Sequence, residues 1–166
     1  MPTRFKIYTP GLTNALRRYT AGGGNVMLSG AYVGSDLWDN AAGNDDPVGK
    51  AFVKDVLGFE GLHGRASLDG TVSAVDSPDI RLSSPGAWNF VCKLNDKAYA
   101  VESPDAIRAS DDRGFTWMRY GENGLPAGIA SDRGNYRTVV MGFPLEAVTT
   151  AQERTSLMSR IMEYLK

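Results

Sequence analysis

The fold prediction starts from residues 21–34, AGGGNVMLSGAYVG. Gly22–Gly24 end the helix that precedes them, because glycine readily adopts the backbone conformations that terminate helices. Residues 25–29 then form a short apolar run, the length expected of a buried strand. The last five residues, GAYVG, have the frame in which some α/β enzymes hold a catalytic Ser or Cys on a sharp turn. Here the central residue is Tyr32.

Length and composition predict one globular domain over residues 1–166, and a fragment of a longer parent chain stays an alternative. Charged residues make up 22% and the formal net charge is −1, so neither nucleic acid nor an anionic membrane is expected as a partner. No apolar run approaches the ~18 residues that suggest a membrane-spanning helix. The first ten residues contain no signal peptide. Cys92 is the one cysteine, which excludes an internal disulfide.

Apolar spacing predicts an α/β fold. Helices are expected over residues 13–21, 48–57 and 149–165, and buried strands over 25–29 and 138–142. Asp69-Gly70 favours one hairpin, and residues 95–97 favour another between segments 90–94 and 98–101. We therefore expect a sheet whose parallel central strands include 25–29 and 138–142, with helices on both faces and antiparallel hairpin additions.

Residues typical of catalysis or metal binding have no supporting motif. His63 lies in a small-residue stretch and is interpreted as a loop or strand-end residue, and Cys92 lies in an apolar run and is interpreted as a packing thiol. The aspartates of residues 36–46 are oxygen donors suited to calcium, but their spacing does not match an EF-hand, so we interpret them as solvated acids. No metal or cofactor is predicted.

Residues 110–117, SDDRGFTW, fit the Asp-box of sialidase-like propellers, which shapes a turn and is not catalytic. A propeller needs several four-stranded blades, and this chain has room for few. We therefore interpret the motif as a hairpin turn with Trp117 packed beneath it.

Three longer segments carry a resemblance to a known family. They are ALRRYTAGGGNVMLSGAYVGSDLWD, AYAVESPDAI, and YRTVVMGFPLEAV followed by ERTSLMSRIMEYL. In this order they resemble the class I glutamine amidotransferase-like group of flavodoxin-like domains. More narrowly, they are similar to the version found in secreted bacterial proteins often labelled xanthan lyase. The resemblance implies a three-layer flavodoxin-like sandwich and a secreted, periplasmic or cell-surface location within a parent protein.

The resemblance also implies that the amidotransferase reaction has been lost. Active members have cysteine in the middle of G-x-C-x-G and a later H-x-E, and these positions fall here on Tyr32, Pro144 and Glu146. Tyrosine is a poor nucleophile at neutral pH, since its pKa is ordinarily about 10. Proline can neither donate nor accept a proton. We therefore expect no glutamine hydrolysis and no catalytic residues.

Three functions remain open: a non-catalytic module that binds or assembles, a polysaccharide lyase or hydrolase using Tyr32, Ser29 and Glu146, and a structural domain that completes a homo-oligomer. Polysaccharide or other domains of the parent chain are the expected partners. If a ligand binds, we expect it beyond the carboxyl ends of the parallel strands, where such sheets present a crevice. The alternative is that the aromatic residues there are only packing. The predicted cleft residues are Ser29, Ala31, Tyr32, Asp36, Trp38, Phe143 and Glu146.

Overall fold

The structure, a computed structural model, describes residues 6–39, 45–96 and 98–166. The strands in these ranges are β1 (Val26–Ser29), β2 (Phe59–His63), β3 (Thr71–Ala74), β4 (Ala87–Asn89), β5 (Ala106–Ala109), β6 (Gly114–Tyr120), β7 (Pro126–Asp132) and β8 (Arg137–Met141). The helices are α1 (Pro10–Ala21), α2 (Ser35–Trp38), α3 (Pro47–Phe52), α4 (Ile80–Ser83) and α5 (Ala151–Leu165). A π-helical turn, Val53–Leu57, continues α3, and a 3-10 turn, Leu145–Ala147, precedes α5.

Side-chain caps fix where the two longest helices begin. The Thr9 hydroxyl accepts a hydrogen bond from the Leu12 amide at the start of α1. At the start of α5, the side chain of Thr150 accepts from the Glu153 amide, and the Glu153 carboxylate accepts from the Thr150 amide. This reciprocal capping box satisfies amides that would otherwise lack a partner in the helix.

The main sheet has six strands in the order β1-β8-β7-β6-β3-β4. Strands β1 and β8 pair in parallel, with Val26 opposite Thr138, and every other neighbouring pair in this sheet is antiparallel. Strands β2 and β5 form a separate antiparallel pair, and β5 packs against β7. The sheet is therefore mixed, with its parallel pair at one edge.

The prediction of a three-layer flavodoxin-like sandwich with parallel central strands is wrong. Both predicted strands exist and pair with each other in parallel, but β1 lies at the edge of the sheet. Residues 121–125 join β6 to β7, and residues 133–136 join β7 to β8. Connections this short suit antiparallel neighbours, because a parallel crossover takes a dozen or more residues.

The predicted hairpins are also corrected. Segments 90–94 and 98–101 form no strand pair in the part of the chain that the structure describes, although the Val101 amide donates to the Val91 carbonyl at 2.8 Å. Lys97, in the predicted turn, lies outside the described residues. Gly70 does occupy a turn, with φ of 74°, but only the strand after it forms, and this strand pairs with β4 and β6.

The core has two clusters, one on each face of the main sheet. Leu157 and Ile161 of α5 belong to one cluster, and Phe52 of α3 belongs to the other, against which α1 also packs. Because successive strand residues face opposite sides, Val139 joins the α5 cluster and its neighbour Val140 joins the α3 cluster. Helices therefore cover both faces of the sheet.

Among the helices of the described ranges, none has the length and apolar character needed to cross a bilayer.

Candidate functional site

The seven residues predicted to share a cleft lie in different surroundings. Tyr32 and Trp38 line the same cavity, whereas Glu146 lies in a separate hollow. Phe143 is fully buried and stacks on Phe90 with 4.8 Å between ring centroids. The structure therefore places the two aromatic side chains together, as predicted, but separates them from Glu146, which the prediction put in the same cleft.

The cavity that contains Tyr32 and Trp38 has a volume of about 430 Å³ and opens to solvent; we call it the Tyr32 cleft. Its walls come from the turn after β1, from α2, from the end of β2 and from a loop before β5. Its described lining residues are Tyr32, Ser35, Trp38, Asp39, Gly61, Leu62, His63, Gly64, Arg65 and Ser103.

Two lining residues have a left-handed backbone. Tyr32 has φ of 65° and Arg65 has φ of 51°, and in the described ranges no other non-glycine residue has a positive φ. A side chain in this conformation costs free energy, because its Cβ crowds the following carbonyl oxygen. Such residues concentrate at functional sites, where the surrounding structure holds them in place. The two residues therefore make the Tyr32 cleft the candidate functional site.

Close backbone contact joins the two main walls of the cleft. A Cβ added to Gly34 would lie 2.9 Å from the Gly61 Cα, so α2 and β2 approach nearer than larger residues allow. A Cβ on Gly61 would also lie 3.0 Å from the Trp38 ring. The half-buried indole of Trp38 therefore packs directly on the glycine backbone of β2.

Residues 103–105 hold both left-handed segments. The fully buried carboxylate of Asp105 accepts hydrogen bonds from the amides of Gly34 and Ser35 at 2.8 and 2.7 Å, and from the Ser35 hydroxyl at 2.9 Å. The Ser103 hydroxyl accepts from the Arg65 amide at 3.2 Å. Because a buried carboxylate is stable only when hydrogen-bonded or paired, these donors fix the turn after Tyr32 against β5.

The other predicted residues have structural partners. The Ser29 hydroxyl accepts from the Leu145 amide at 3.3 Å, and the Asp36 carboxylate accepts from the Ile7 amide at 3.2 Å. Ala31 packs against the α5 cluster, and Pro144 is buried. These residues shape the turns around β1 and β8 rather than the surface of the Tyr32 cleft.

Glu146 lies in a larger, open hollow of about 1330 Å³, partly walled by the loop of residues 91–98. Its carboxylate accepts a hydrogen bond from the Tyr99 hydroxyl at 2.9 Å. Burial and this hydrogen bond raise the pKa of Tyr99 to about 12. Tyr99 therefore stays protonated at neutral pH and acts as a donor.

Cys92, which also lines this hollow, is half-buried and packs against the α5 cluster. Burial raises the pKa of its thiol to about 11. The thiol therefore stays protonated at neutral pH, when only the thiolate is an effective nucleophile.

The acidic loop provides no metal site in the described residues. Asp45 pairs with Lys50 at 3.0 Å, and Asp46 caps α3 by accepting from the Gly49 amide at 2.8 Å. Residues 40–44, which belong to the same predicted loop, lie outside the described residues. No three His, Cys, Asp or Glu side chains of the described ranges come together as metal ligands.

His63 and Arg65 belong to the Tyr32 cleft and were not predicted to be site residues. His63 was interpreted as a loop or strand-end residue, because no companion motif accompanies it, and it is the last residue of β2. The local signal was the glycine-rich stretch of residues 61–64, since small residues permit the close approach of α2. Because this stretch and Tyr32 are distant in the sequence, the sequence did not show that they line the same cavity.

The lining of the cleft combines aromatic faces with acidic and basic side chains that can form hydrogen bonds. Tyr32 is 38% exposed and Trp38 is half-buried, so both rings offer surface to a ligand. Asp39 can accept hydrogen bonds, and Arg65 and His63 can donate them. A few polar groups beside aromatic surfaces are typical of small-molecule sites.

Comparison with known proteins identifies no family. No protein-family model matches the chain, and no curated protein matches it.

Solved structures share its fold. The chain is similar to part of a cold-adapted β-galactosidase from Rahnella sp. R3, with a TM-score of 0.58, 13% identity, and coverage of 95% of this chain and 21% of that one. It is also similar to a cytoplasmic protein from Salmonella typhimurium LT2, with a TM-score of 0.60, 10% identity, and coverage of 95% and 61%. An exo-β-1,4-mannosidase from Opitutaceae bacterium strain TAV5 gives a TM-score of 0.51, 16% identity, and coverage of 95% and 22%.

The chain therefore spans about a fifth of the two glycosidases and less than two thirds of the Salmonella protein. At these identities the likeness establishes a shared fold and nothing about the site. The resemblance to amidotransferase-like domains is not tested by these comparisons and stays a prediction.

Proposed function

We propose that this chain is a non-catalytic saccharide-binding module and that sugar binds in the Tyr32 cleft. The observation that carries the proposal is the presence of two left-handed residues, Tyr32 and Arg65, beside Trp38 in one open cavity. Aromatic rings stack on the apolar face of a sugar ring. Asp39 and His63 are positioned to exchange hydrogen bonds with hydroxyl groups.

The setting that we propose is a longer carbohydrate-processing or cell-surface protein, secreted or periplasmic. The likeness to segments of a β-galactosidase and an exo-β-1,4-mannosidase supports a carbohydrate-related role, since both names describe enzymes that act on saccharides. Both also carry this fold as a part of a longer chain.

Titration with oligosaccharides tests the proposal through tryptophan fluorescence. Trp88 and Trp117 are 2% and 0% exposed, so a change in emission on adding sugar reports mainly Trp38. Galacto-oligosaccharides, manno-oligosaccharides and oligouronides form the ligand set. We expect saturable binding, and we expect Trp38→Ala and Tyr32→Ala each to weaken it about tenfold when measured by calorimetry.

Tyr19→Ala is the matched control, because Tyr19 is an exposed tyrosine on α1 outside the cleft lining. Circular dichroism checks that all variants fold. The proposal fails if no saccharide binds, or if Tyr19→Ala weakens binding as much as Trp38→Ala does. Sedimentation of the same samples tests the remaining alternative, a homo-oligomer whose assembly is the function.

A second candidate function, a polysaccharide lyase, is favoured by one observation: Tyr32, His63 and Arg65 line the same cavity. In β-elimination, a base such as His63 takes the proton beside a uronate carboxylate, and Arg65 neutralises that carboxylate. The bond from the adjacent carbon to the glycosidic oxygen breaks, a carbon–carbon double bond forms, and the Tyr32 hydroxyl protonates the leaving oxygen. Ser29 and Glu146, expected to serve this reaction, have other partners.

Incubation with oligouronides separates the two functions, because the unsaturated product absorbs ultraviolet light. A lyase produces absorbance that His63→Ala and Tyr32→Phe abolish. Binding without product, over long incubation at high protein concentration, eliminates the lyase and leaves the binding module.

A further inference from the structure

Arg65 carries an unpaired positive charge into the Tyr32 cleft. In the described ranges, its guanidinium lies within ion-pair distance of no carboxylate, donates to no carbonyl oxygen and lies over no aromatic ring. Five other arginines of the same ranges pair with a carboxylate: Arg81 with Asp79, Arg108 with Glu60, Arg113 and Arg133 with Asp111, and Arg137 with Asp132. The Arg65 charge is therefore available to a ligand.

Hydrogen bonds hold the backbone from which the Arg65 side chain extends. The Arg65 amide donates to the Ser103 hydroxyl at 3.2 Å, and the next amide, that of Ala66, donates to the Pro104 carbonyl at 2.8 Å. These two bonds hold the left-handed conformation at Arg65 in place. A guanidinium suits a carboxylate, because its planar fork matches the two carboxylate oxygens.

The charges in the lining differ between the walls. His63 ends β2 and Arg65 lies in the turn just after it, whereas Asp39 directly follows α2. The carboxylate of Asp105 beneath the cleft is fully buried and receives three hydrogen bonds from the turn after β1. The β2 wall therefore favours an anionic group, and the α2 wall favours hydroxyl donors.

We propose that the saccharide bound in the Tyr32 cleft contains a uronic acid. Its carboxylate pairs with Arg65 and accepts a hydrogen bond from His63, its hydroxyls donate to Asp39, and its ring lies on Trp38. This inference rests on the proposed function and names the class of saccharide that the same cleft recognises.

A pair of ligands that differ only in the carboxylate tests the inference. Calorimetry compares an oligogalacturonide with its methyl ester, in which the charge is removed and the rings are unchanged. We expect the acid to bind the unaltered protein at least about tenfold more tightly than the ester, with a preference that falls as salt is added. Arg65→Gln should abolish the preference, and Arg65→Lys should retain part of it.

Arg108→Gln is the matched control, since Arg108 is an exposed arginine of β5 that pairs with Glu60 outside the cleft lining. It should keep the preference for the acid. The comparison of acid and ester on the unaltered protein needs no variant, so a variant that fails to fold does not affect it.

The possible results separate this inference from the proposed function. If acid and ester bind with equal affinity and binding depends on Trp38, the ligand is not recognised by a uronic acid carboxylate. The proposal of a saccharide-binding module then remains. A sulfated galacto-oligosaccharide could also bind more tightly than the oligogalacturonide, with this preference lost in Arg65→Gln. That result overturns the inference of a uronic acid, because the anion recognised is then a sulfate. Binding of no saccharide at all overturns both.

Discussion

Arg65 combines an unfavourable backbone with a side chain that the fold does not need. A left-handed conformation costs a non-glycine residue about 1–2 kcal/mol, and glycine avoids most of this cost. We therefore expect Arg65→Gly to have a free energy of unfolding about 1 kcal/mol higher than Arg65→Ala, as measured by urea denaturation. At an ordinary position the order is reversed.

The same pair of substitutions at Arg18 provides the control, because Arg18 is an exposed residue within α1. There the alanine variant should be the more stable by roughly 1 kcal/mol, since glycine is a poor helix former. An Arg65→Ala variant as stable as Arg65→Gly would show that the backbone at Arg65 is not held in the left-handed region.

Asp111 links acid stability to a buried arginine. Hydrogen bonds from Arg113 and then from Arg133, whose side chain is 1% exposed, lower the pKa of Asp111 to about 2. In the unfolded chain this pKa is ordinarily about 4. Because the folded pKa is the lower one, the stabilisation is complete above pH about 4 and is lost as pH falls towards about 2.

We expect Asp111→Asn to lower the free energy of unfolding at neutral pH by about 1–3 kcal/mol, because the substitution leaves the Arg133 charge without its carboxylate. Below pH about 3 the deficit should shrink. Urea denaturation across this pH range measures both effects, and Asp112→Asn, at the exposed neighbouring aspartate, is the control. If the loss of unfolding free energy in Asp111→Asn does not change with pH, the pKa of Asp111 is not lowered by these arginines.

At the scale of elements, the end of β8 supports the cleft through Gly142. Its carbonyl accepts from the Asp105 amide at 2.7 Å, and a Cβ built on Gly142 would lie 1.9 Å from the Asp105 carbonyl oxygen. We expect Gly142→Ala to displace residues 103–105 and to lower the free energy of unfolding by about 3 kcal/mol. Trp38 emission should shift as well, because the same residues hold the turn before α2.

Gly11→Ala is the control for this substitution, since no atom lies within 4 Å of the added Cβ in α1. It should leave stability unchanged or raise it slightly, because alanine favours the helix. If Gly142→Ala is as stable as the unaltered protein, the contact between β8 and residues 103–105 does not support the cleft.

Periodicity predicted the elements but not how the strands pair. The predicted helix at residues 149–165 is observed as Ala151–Leu165, and the predicted strand at 138–142 as Arg137–Met141. An apolar strand has the same composition beside a parallel neighbour or an antiparallel one. The short connections on either side of β7 make β6 and β8 antiparallel to it. These connections were not recognised from the sequence, because residues 126–132 were not identified as a full strand.

The candidate site was predictable only where it follows a strand. Tyr32 and Trp38 were found because they lie in the segment that follows β1, in the turn and in α2. Phe143 and Glu146 were misplaced, because the chain after β8 turns one into the core and the other towards Tyr99. His63 and Arg65 depend on contacts between distant segments, which neither spacing nor composition encodes.

At the scale of the whole molecule, the two core clusters share the middle of one sheet. Ile129 and Val140, opposite each other in register, face the α3 cluster, and Ala130 and Val139 face the α5 cluster. Strands β7 and β8 are therefore covered on both faces and bonded on both edges, whereas β1 and β4 lie at the two ends of the strand order.

This arrangement sets the order in which backbone amides exchange hydrogen with solvent. Amides in the middle of β7 and β8 become accessible only when the whole chain opens, so their exchange should report the global free energy of unfolding. Amides of β1 and β4 should exchange earlier, by local opening that urea barely affects. Mass spectrometry or NMR measures the exchange rates. If the Val26 amide exchanges as slowly as the Val140 amide, the predicted order is wrong. The protein is thus expected to release its deuterium from the rims of the sheet inward, with β7 and β8 last.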